Sequence, residues 1–297
     1  MKKDYSIIVF AYIVAALIAY LTGRLFAGWH PLLVIAVADI VGTVVIFGFS
    51  VLFDNSSVYD AYWSVAPPLI AMYWVFSATP SIGGFRKIIL MVLVLIWAFR
   101  LTLNWAVRWR GMADEDWRYA DMRRKHGKAY WLVSFFGIHM MPTVLVFLGC
   151  LPFISSFTIP ETNFVFLDGI AVLVTAGAIW IEWRADRDVT LFRRSNHGRE
   201  GLLQSGVWSL SRHPNYLGEI SFWWGVYLFG VAANGRYWWT ILGPLFMTAL
   251  FLCISIPMIE KRLLGRKPGY KRYIETTPML LPRFRVKNDP RELREEF

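Results

Sequence analysis

The residues best suited to chemistry stand in polar blocks that interrupt long apolar runs in the second half of the chain. The strongest block spans 211–225, in which Asn215 and Glu219 are four residues apart and share a helix face. Glu219 falls within an apolar, aromatic helix, where an ionisable group is costly unless it is paired or lines a wet cavity. It is therefore either a ligand-binding carboxylate or an interfacial one that pairs with Arg212 or Arg184.

A second block continues directly from an apolar run. Glu182 and Asp186 are again four residues apart, and Arg193 and Arg194 follow about two turns later. Carboxylates can hold ribose hydroxyls or an amide, and guanidinium groups can fork onto phosphates. The alternative is an ordinary charged helix exit in contact with solvent.

The third block is the tail, with charged and aromatic groups at 257–264, 269–273 and 280–283. A surface helix that binds anionic lipid would explain its charge. Because the chain has no glycine-rich nucleotide-binding motif, a nucleotide would have to bind between membrane helices and loops. Cys150 and Cys253 lie inside apolar runs, and their spacing indicates neither a metal site nor a disulfide framework.

These blocks must be positioned by membrane helices. Of the 297 residues, 56% are hydrophobic and 18% are charged, and the mean hydropathy is +0.44. Apolar runs long enough to cross a bilayer predict an all-α, polytopic transmembrane helical bundle of about seven or eight spans. The predicted spans are 5–24, 32–53, 61–79, 88–107, 132–157, 164–183, 217–233 and 237–258.

The net charge of +10 does not indicate nucleic acid, because the basic residues stand in loops beside the spans. The polar segments 108–128 and 184–199 and the tail from Lys261 should share the cytoplasmic side, which places the C-terminus there. Arg86 fits this topology poorly. The first apolar run is expected to be an uncleaved helix rather than a signal peptide.

The blocks together resemble the carboxyl-terminal domain of the steroid 5α-reductase superfamily. More closely, the chain is similar to a bacterial group of that superfamily catalogued as DUF1295. The stretches that carry the resemblance are 59–68, 100–111, 115–123, 131–143, 211–225 and 255–264. The resemblance implies a protein of the bacterial inner membrane that binds NADPH from the cytoplasm. It also implies hydride transfer to the β-carbon of a conjugated enone in a lipid-accessible cavity.

The resemblance also assigns cofactor contacts to residues of the three blocks. The family usually has Asn where this chain has Glu182. The residues assigned to the cofactor are Asp186, Arg193, Arg194, His213, Asn215, Tyr216, Glu219 and Arg262.

On the catalytic side the chain departs from the family. Steroid reductases polarise the substrate carbonyl with a Tyr and a Glu, which fall here on Asn104 and on Asp60, beside Tyr59. Asn can donate a hydrogen bond but cannot deliver its proton. Either Tyr59 or Tyr62 then replaces the acid, or the substrate is not a 3-keto steroid. Asp60 would need a raised pKa to donate a proton at neutral pH, and it is otherwise a helix-capping residue.

The expected function is NADPH-dependent reduction of a carbon–carbon double bond in a steroid-like, isoprenoid or other lipid substrate. One integrated membrane domain would place the substrate among helices of 1–130 and the cofactor among those of 131–297. An alternative is an S-adenosylmethionine-dependent methyltransferase resembling the isoprenylcysteine enzymes, whose tail pattern fits Glu260, Tyr270 and Tyr273. A non-enzymatic lipid-binding relative is a third possibility. Neither nucleic acid nor a metal is expected.

Overall fold

The computed structural model describes residues 2–77, 84–159, 164–195 and 201–282, in which regular structure is helical and no β-strand occurs. The all-α fold class is confirmed. The α-helices in chain order are α1 (Lys2–Leu25), α2 (Pro31–Leu52), α3 (Tyr62–Ser77), α4 (Phe85–Arg108), α5 (Trp117–His126), α6 (Tyr130–Ser134), α7 (Met141–Cys150), α8 (Phe153–Thr158), α9 (Phe166–Arg194), α10 (Pro214–Ala233), α11 (Leu242–Leu250), α12 (Ile256–Leu264) and α13 (Tyr270–Thr276).

Within the described residues, six helical stretches are long and apolar enough to cross a membrane, which confirms a polytopic bundle. The two remaining predicted spans form α3 and α10, of 16 and 20 residues. They pack inside the bundle without reaching the length and hydropathy of the other six. The six stretches are Lys3–Leu25, Pro31–Leu52, Phe85–Arg108, Trp117–Cys150, Phe166–Arg194 and Gly235–Leu264.

Three boundaries differ from the predicted ones. The predicted polar segment 108–128 contains α5, which begins because the Asp116 carboxylate accepts the N–H of Arg118 at 2.9 Å. The segment 184–199 was predicted as a loop, but α9 continues through it to Arg194. The predicted span 132–157 is divided, since α7 ends at Cys150 and α8 starts after Pro152. Residues 160–163 of the predicted outer link and Arg283 of the tail lie outside the described residues.

Helices α9 and α10 approach closely along two glycines of α10. A Cβ atom at Gly225 would lie 3.0 Å from the backbone nitrogen of Thr175, and one at Gly218 would lie 2.9 Å from the carbonyl oxygen of Ala178. Because glycine has no side chain, the backbones of two helices can approach closely at a glycine and gain packing contacts, as small residues allow in membranes. The pairing fixes α10 against the part of α9 that carries the second polar block.

Helices α4 and α9 run parallel and are joined by ion pairs in matching register. Arg86 is 3% exposed, and its Nε lies 2.6 Å from Asp168 Oδ1, while Arg100 pairs with Glu182 nearer the other end. Fourteen positions separate Arg86 from Arg100 and Asp168 from Glu182, close to four helical turns. The Arg86 charge is thus neutralised inside the bundle, which explains why it did not fit the loop-charge pattern.

Candidate functional site

A cavity of about 920 Å³ opens where α4 and α9 end and α10 begins. Parts of α12 and of the segments 57–64, 108–122, 137–142 and 250–255 complete its wall. Its volume is near the upper end of the roughly 300–1,000 Å³ usual for small-molecule sites. Three predicted site residues, Tyr59, His213 and Arg194, are not among its lining. The structure brings the other eight together in this one cavity: Asp60, Asn104, Asp186, Arg193, Asn215, Tyr216, Glu219 and Arg262.

Arg100 links the carboxylates of α9. Its guanidinium donates to Glu182 and, at 2.7 Å, to Asp186 Oδ2. Arg108 reaches the other oxygen of Asp186 at 3.2 Å. The prediction that Glu182 and Asp186 share a helix face is confirmed. Arg100 and Arg108 of α4 bind the carboxylates on this face. Sequence reasoning assigned no cofactor role to Arg100, although a single arginine deep in an apolar run was a usable signal.

Glu219 is 7% exposed and is held by two indoles. Its carboxylate oxygens accept the Nε1–H groups of Trp97 at 3.1 Å and of Trp223 at 3.0 Å. The alternative pairs with Arg212 and Arg184 do not form, because Arg212 pairs with Glu260 and Arg184 pairs with Asp188. The side chains of Glu182 and Glu219 lie close enough together that ionisation of both carboxyl groups is disfavoured by their mutual repulsion. A ligand that offers N–H or O–H donors to both would relieve this repulsion.

Arginines gather at one side of the cavity. Arg193 lies near Arg108 and Arg110, whose charges repel its own. All three line the cavity, whereas the adjacent Arg194 does not, although Arg193 and Arg194 are both exposed. Like charges held together cost energy unless an anion joins them, and guanidinium groups match phosphate geometry. This side of the cavity is therefore suited to an anion.

Arg262 occupies another part of the wall. Its guanidinium carbon lies 3.9 Å from the centroid of the Trp117 ring, a cation–π contact between α12 and α5. This contact keeps the Arg262 charge at the cavity.

His213 is not in the cavity lining but contacts Tyr216, which is. Its Nε2 lies 2.9 Å from Glu260 Oε1, and its ring stacks on Tyr216, with centroids 5.5 Å apart. Arg212 Nε donates to the same Glu260 oxygen at 2.8 Å. Burial lowers the pKa of His213, which therefore stays neutral at pH 7. His213 thus positions Tyr216 and anchors the start of α10.

Tail residues are used in the same anchor. The Tyr273 hydroxyl donates to the carbonyl oxygen of Trp208, and Arg212 Nη1 donates to the carbonyl of Ile274 at 3.0 Å. Glu260, Tyr270 and Tyr273 are absent from the cavity lining. Glu260 and Tyr273, two residues of the pattern that suggested the methyltransferase alternative, hold the tail against the segment before α10.

The predicted catalytic residues separate into two groups. Asp60 and Asn104 line the cavity, but Tyr59 is fully buried, with its hydroxyl 2.7 Å from Thr143 Oγ1. Asp60 Oδ1 instead accepts the hydroxyl of Tyr119 at 2.7 Å, and Tyr119 also lines the cavity. Sequence reasoning did not assign a role to Tyr119, although the stretch 115–123 that contains it was part of the resemblance.

Asp60 lies between α2 and α3, outside the spans. Burial raises its pKa to about 7, although the charge of Arg118 and the hydrogen bond from Tyr119 both act to lower it. A carboxyl group with this pKa exchanges protons near neutral pH, as an acid catalyst requires.

The fold and this cavity define a polytopic α-helical membrane protein with a charged internal site. The family model described as "Protein of unknown function (DUF1295)" matches residues 46–277, and the chain belongs to that family. The match includes every predicted site residue. An uncharacterized protein of Schizosaccharomyces pombe is 27% identical over 263 residues, which cover 80% of this chain and 76% of the relative. No solved structure matches the chain.

Proposed function

We propose that this protein is a membrane reductase that uses NADPH to reduce a carbon–carbon double bond conjugated to a carbonyl group. The observation that carries the proposal is that one cavity brings together an arginine cluster, a row of carboxylates and a proton-exchanging acid. The first suits phosphates, the second suits ribose and amide groups, and the third suits a carbonyl oxygen. The proposed reduction does not involve a metal ion.

The donor set fits the dinucleotide. Arg108, Arg110 and Arg193 would hold its phosphates, which would cancel their mutual repulsion. Glu182 and Glu219 would accept hydrogen bonds from the nicotinamide amide or a ribose, and these bonds would offset the repulsion between the two carboxyl groups. When bound, the cofactor supplies the hydride.

The rest of the cavity suits an apolar substrate. Trp63, Met141, Leu250 and Ile254 line it together with Asp60, so that an apolar body and a carbonyl oxygen can both be accommodated. Trp63 comes from the predicted substrate portion, residues 1–130, whereas Met141, Leu250 and Ile254 come from residues 131–297. A steroid-like, isoprenoid or other lipid enone meets these demands.

The proposal is tested by thermal unfolding of the detergent-purified protein with NADPH, NADH or S-adenosylmethionine. A ligand at a hundred times its dissociation constant stabilises the folded state by about 2.7 kcal/mol. We expect NADPH to raise the Tm. A rise with S-adenosylmethionine alone would establish the methyltransferase alternative, and no rise with any ligand would favour a non-enzymatic lipid-binding protein.

The site assignment is tested by two neighbouring arginines. Arg193→Ala should lower NADPH affinity by about tenfold or more, since a charge-assisted hydrogen bond contributes about 1.5–3 kcal/mol. Arg194→Ala removes the same charge one residue further along, outside the cavity lining, and is the matched control. Glu219→Gln should also weaken binding. Equal affinities in the two arginine variants would contradict the assignment.

A further inference from the structure

The carboxyl group of Asp60 and the phenol group of Tyr119 meet at one wall of the cavity. Asp60 ends the 3₁₀ turn Ser56–Tyr59, and Tyr119 lies in the first turn of α5. The Tyr119 hydroxyl oxygen is 2.7 Å from Asp60 Oδ1, and both residues line the cavity. The two residues therefore form a hydrogen-bonded pair on the wall of the cavity.

The other tyrosines near Asp60 are committed elsewhere. The Tyr59 hydroxyl bonds Thr143 Oγ1 at 2.7 Å, the Tyr62 hydroxyl donates to Asp39 Oδ1 at 2.8 Å, and the Tyr12 hydroxyl donates to the Val58 carbonyl at 3.0 Å. None of these three is in the cavity lining. They cannot reach a substrate there without breaking their buried bonds. Among these four tyrosines, Tyr119 alone has its hydroxyl at the Asp60 carboxyl group.

The pair is held rigidly by bonds between two segments. The backbone N–H of Asp116 donates to Ser57 Oγ at 2.9 Å, and the Asn55 side chain donates to the carbonyl of Met112 at 2.7 Å. The backbone N–H of Ser56 donates to Glu115 Oε1 at 2.9 Å. The segments that carry Asp60 and Tyr119 are thus cross-linked before any ligand binds, and preorganised donors are effective in catalysis.

We infer that Tyr119 is the catalytic proton donor of the proposed reduction and that Asp60 restores its proton. When Asp60 is protonated it donates to the Tyr119 oxygen, which leaves the Tyr119 proton free to point into the cavity. This inference rests on the proposed function, since the step needs a hydride donor and an enone.

Hydride bonds to the β-carbon, the double bond shifts toward the carbonyl carbon, and the carbonyl oxygen takes the proton of Tyr119. The Tyr119 oxygen takes the proton of Asp60, so no tyrosinate accumulates and Asp60 becomes a carboxylate. The enol then gains a proton from water at its α-carbon and loses its hydroxyl proton. Asp60 regains a proton from solvent, and each turnover consumes one hydride and one proton.

The charge state of Asp60 sets the pH dependence. Arg118 and Tyr119 favour its carboxylate, and Asp116 disfavours it. Tyr59 and Tyr12 also face it, as neutral groups. With a pKa of about 7, Asp60 is protonated below neutral pH and ionised above it. The rate of the chemical step should therefore fall as the pH rises through 7.

The relay is tested first without a substrate. Infrared spectra of the NADPH-loaded protein between pH 5 and 9 should show the carbonyl stretch of a protonated carboxyl group that titrates near neutral pH. The band should vanish in Asp60→Asn and shift in Tyr119→Phe, because the latter removes its hydrogen-bond partner. Absence of the band, or a band indifferent to Tyr119→Phe, overturns the relay.

Turnover then tests the role of Tyr119, with cholestenone and an alkyl-substituted cyclohexenone as probes. Tyr119→Phe should lower kcat by about 10²–10⁴-fold, the usual contribution of a proton donor, with the NADPH-induced rise in Tm unchanged. Tyr130→Phe is the matched control, because Tyr130 is not in the cavity lining and its hydroxyl bonds Ser56 and Glu115 of the same two segments. It should keep kcat within a few-fold.

The outcomes separate the inference from the proposed function. Failure of the wild-type protein to bind NADPH refutes the proposed function. NADPH binding with full turnover in Tyr119→Phe refutes the inference alone. Loss of turnover in Tyr59→Phe but not in Tyr119→Phe would move the proton donor to Tyr59.

Discussion

Asp60 makes the folded protein less tolerant of high pH. Its carboxyl group is enclosed by protein except where it faces the cavity, and burial disfavours the ionised form. The unfolded chain releases this proton near the ordinary pKa of 3.8, whereas the folded protein keeps it up to about 7. Stability contributed by this group is complete below pH 4 and declines as the pH rises to 7.

Asp60→Asn should remove this decline. Asparagine cannot ionise, and its Oδ1 can still accept the Tyr119 hydroxyl. The variant should match wild type near pH 4 and exceed it progressively up to pH 7, after which the difference should stay constant. Thermal unfolding in detergent at several pH values measures the difference. Parallel profiles for the two proteins would show that Asp60 does not carry the shifted proton.

At the scale of elements, α9 and α10 form the rigid part of the site. Gly218 brings α10 so close to α9 that an added Cβ would contact the Glu182 side chain, and Gly225 is just as close to Thr175. The distance between these helices therefore sets the separation of Glu182 and Glu219. Packing and ligand binding are coupled through the same glycines.

Gly225→Ala should destabilise the protein by about 1–3 kcal/mol, the usual cost of overpacking. The new methyl group meets backbone atoms of Thr175, which cannot move aside as a side chain would. Gly177→Ala in α9 is the control, because nothing lies within 4 Å of its Cβ position. It should be neutral or stabilise the helix by up to about 1 kcal/mol. Thermal unfolding of both variants measures the contrast, and equal effects would show that the close approach is not required.

Helix periodicity explains what the sequence could predict. Apolar runs located the spanning helices, and the four-residue spacing of Glu182 and Asp186 correctly gave a shared face. The Tyr119–Asp60 contact was not predictable in this way, because it joins residues 59 positions apart. Helix α5 has no apolar periodicity to position it, and its place is fixed by hydrogen bonds and by Arg262 over Trp117. Pairings between polar segments leave little trace in a single sequence.

For the whole molecule, alternating helix directions put the cavity at one end of the bundle. Tyr5 near the start of α1 donates to the carbonyl of Ala106 near the end of α4 at 2.6 Å. The start of α1, the cavity and the end of α12 therefore lie on the same side. By the positive-inside rule, the basic residues around the cavity predict that this is the cytoplasmic side.

Cysteine labelling tests this orientation in intact cells. In a background without Cys150 and Cys253, which are both free thiols, Lys128→Cys and Arg236→Cys place single exposed thiols at opposite ends of the bundle. A membrane-impermeant reagent should label position 236 directly and position 128 only after permeabilisation. The reverse pattern would place the cavity outside, where NADPH is not supplied.

The ion pair between Arg86 and Asp168 also constrains how the protein is made. The two residues are 82 positions apart, so α4 leaves the ribosome long before its partner on α9 exists. An arginine at the bundle face of a lone helix is costly in lipid. Helix α4 is therefore expected to stay at the insertion machinery until α9 arrives. Because Arg86 of α4 pairs with Asp168 of α9, we expect these two helices to enter the membrane together and not one after the other.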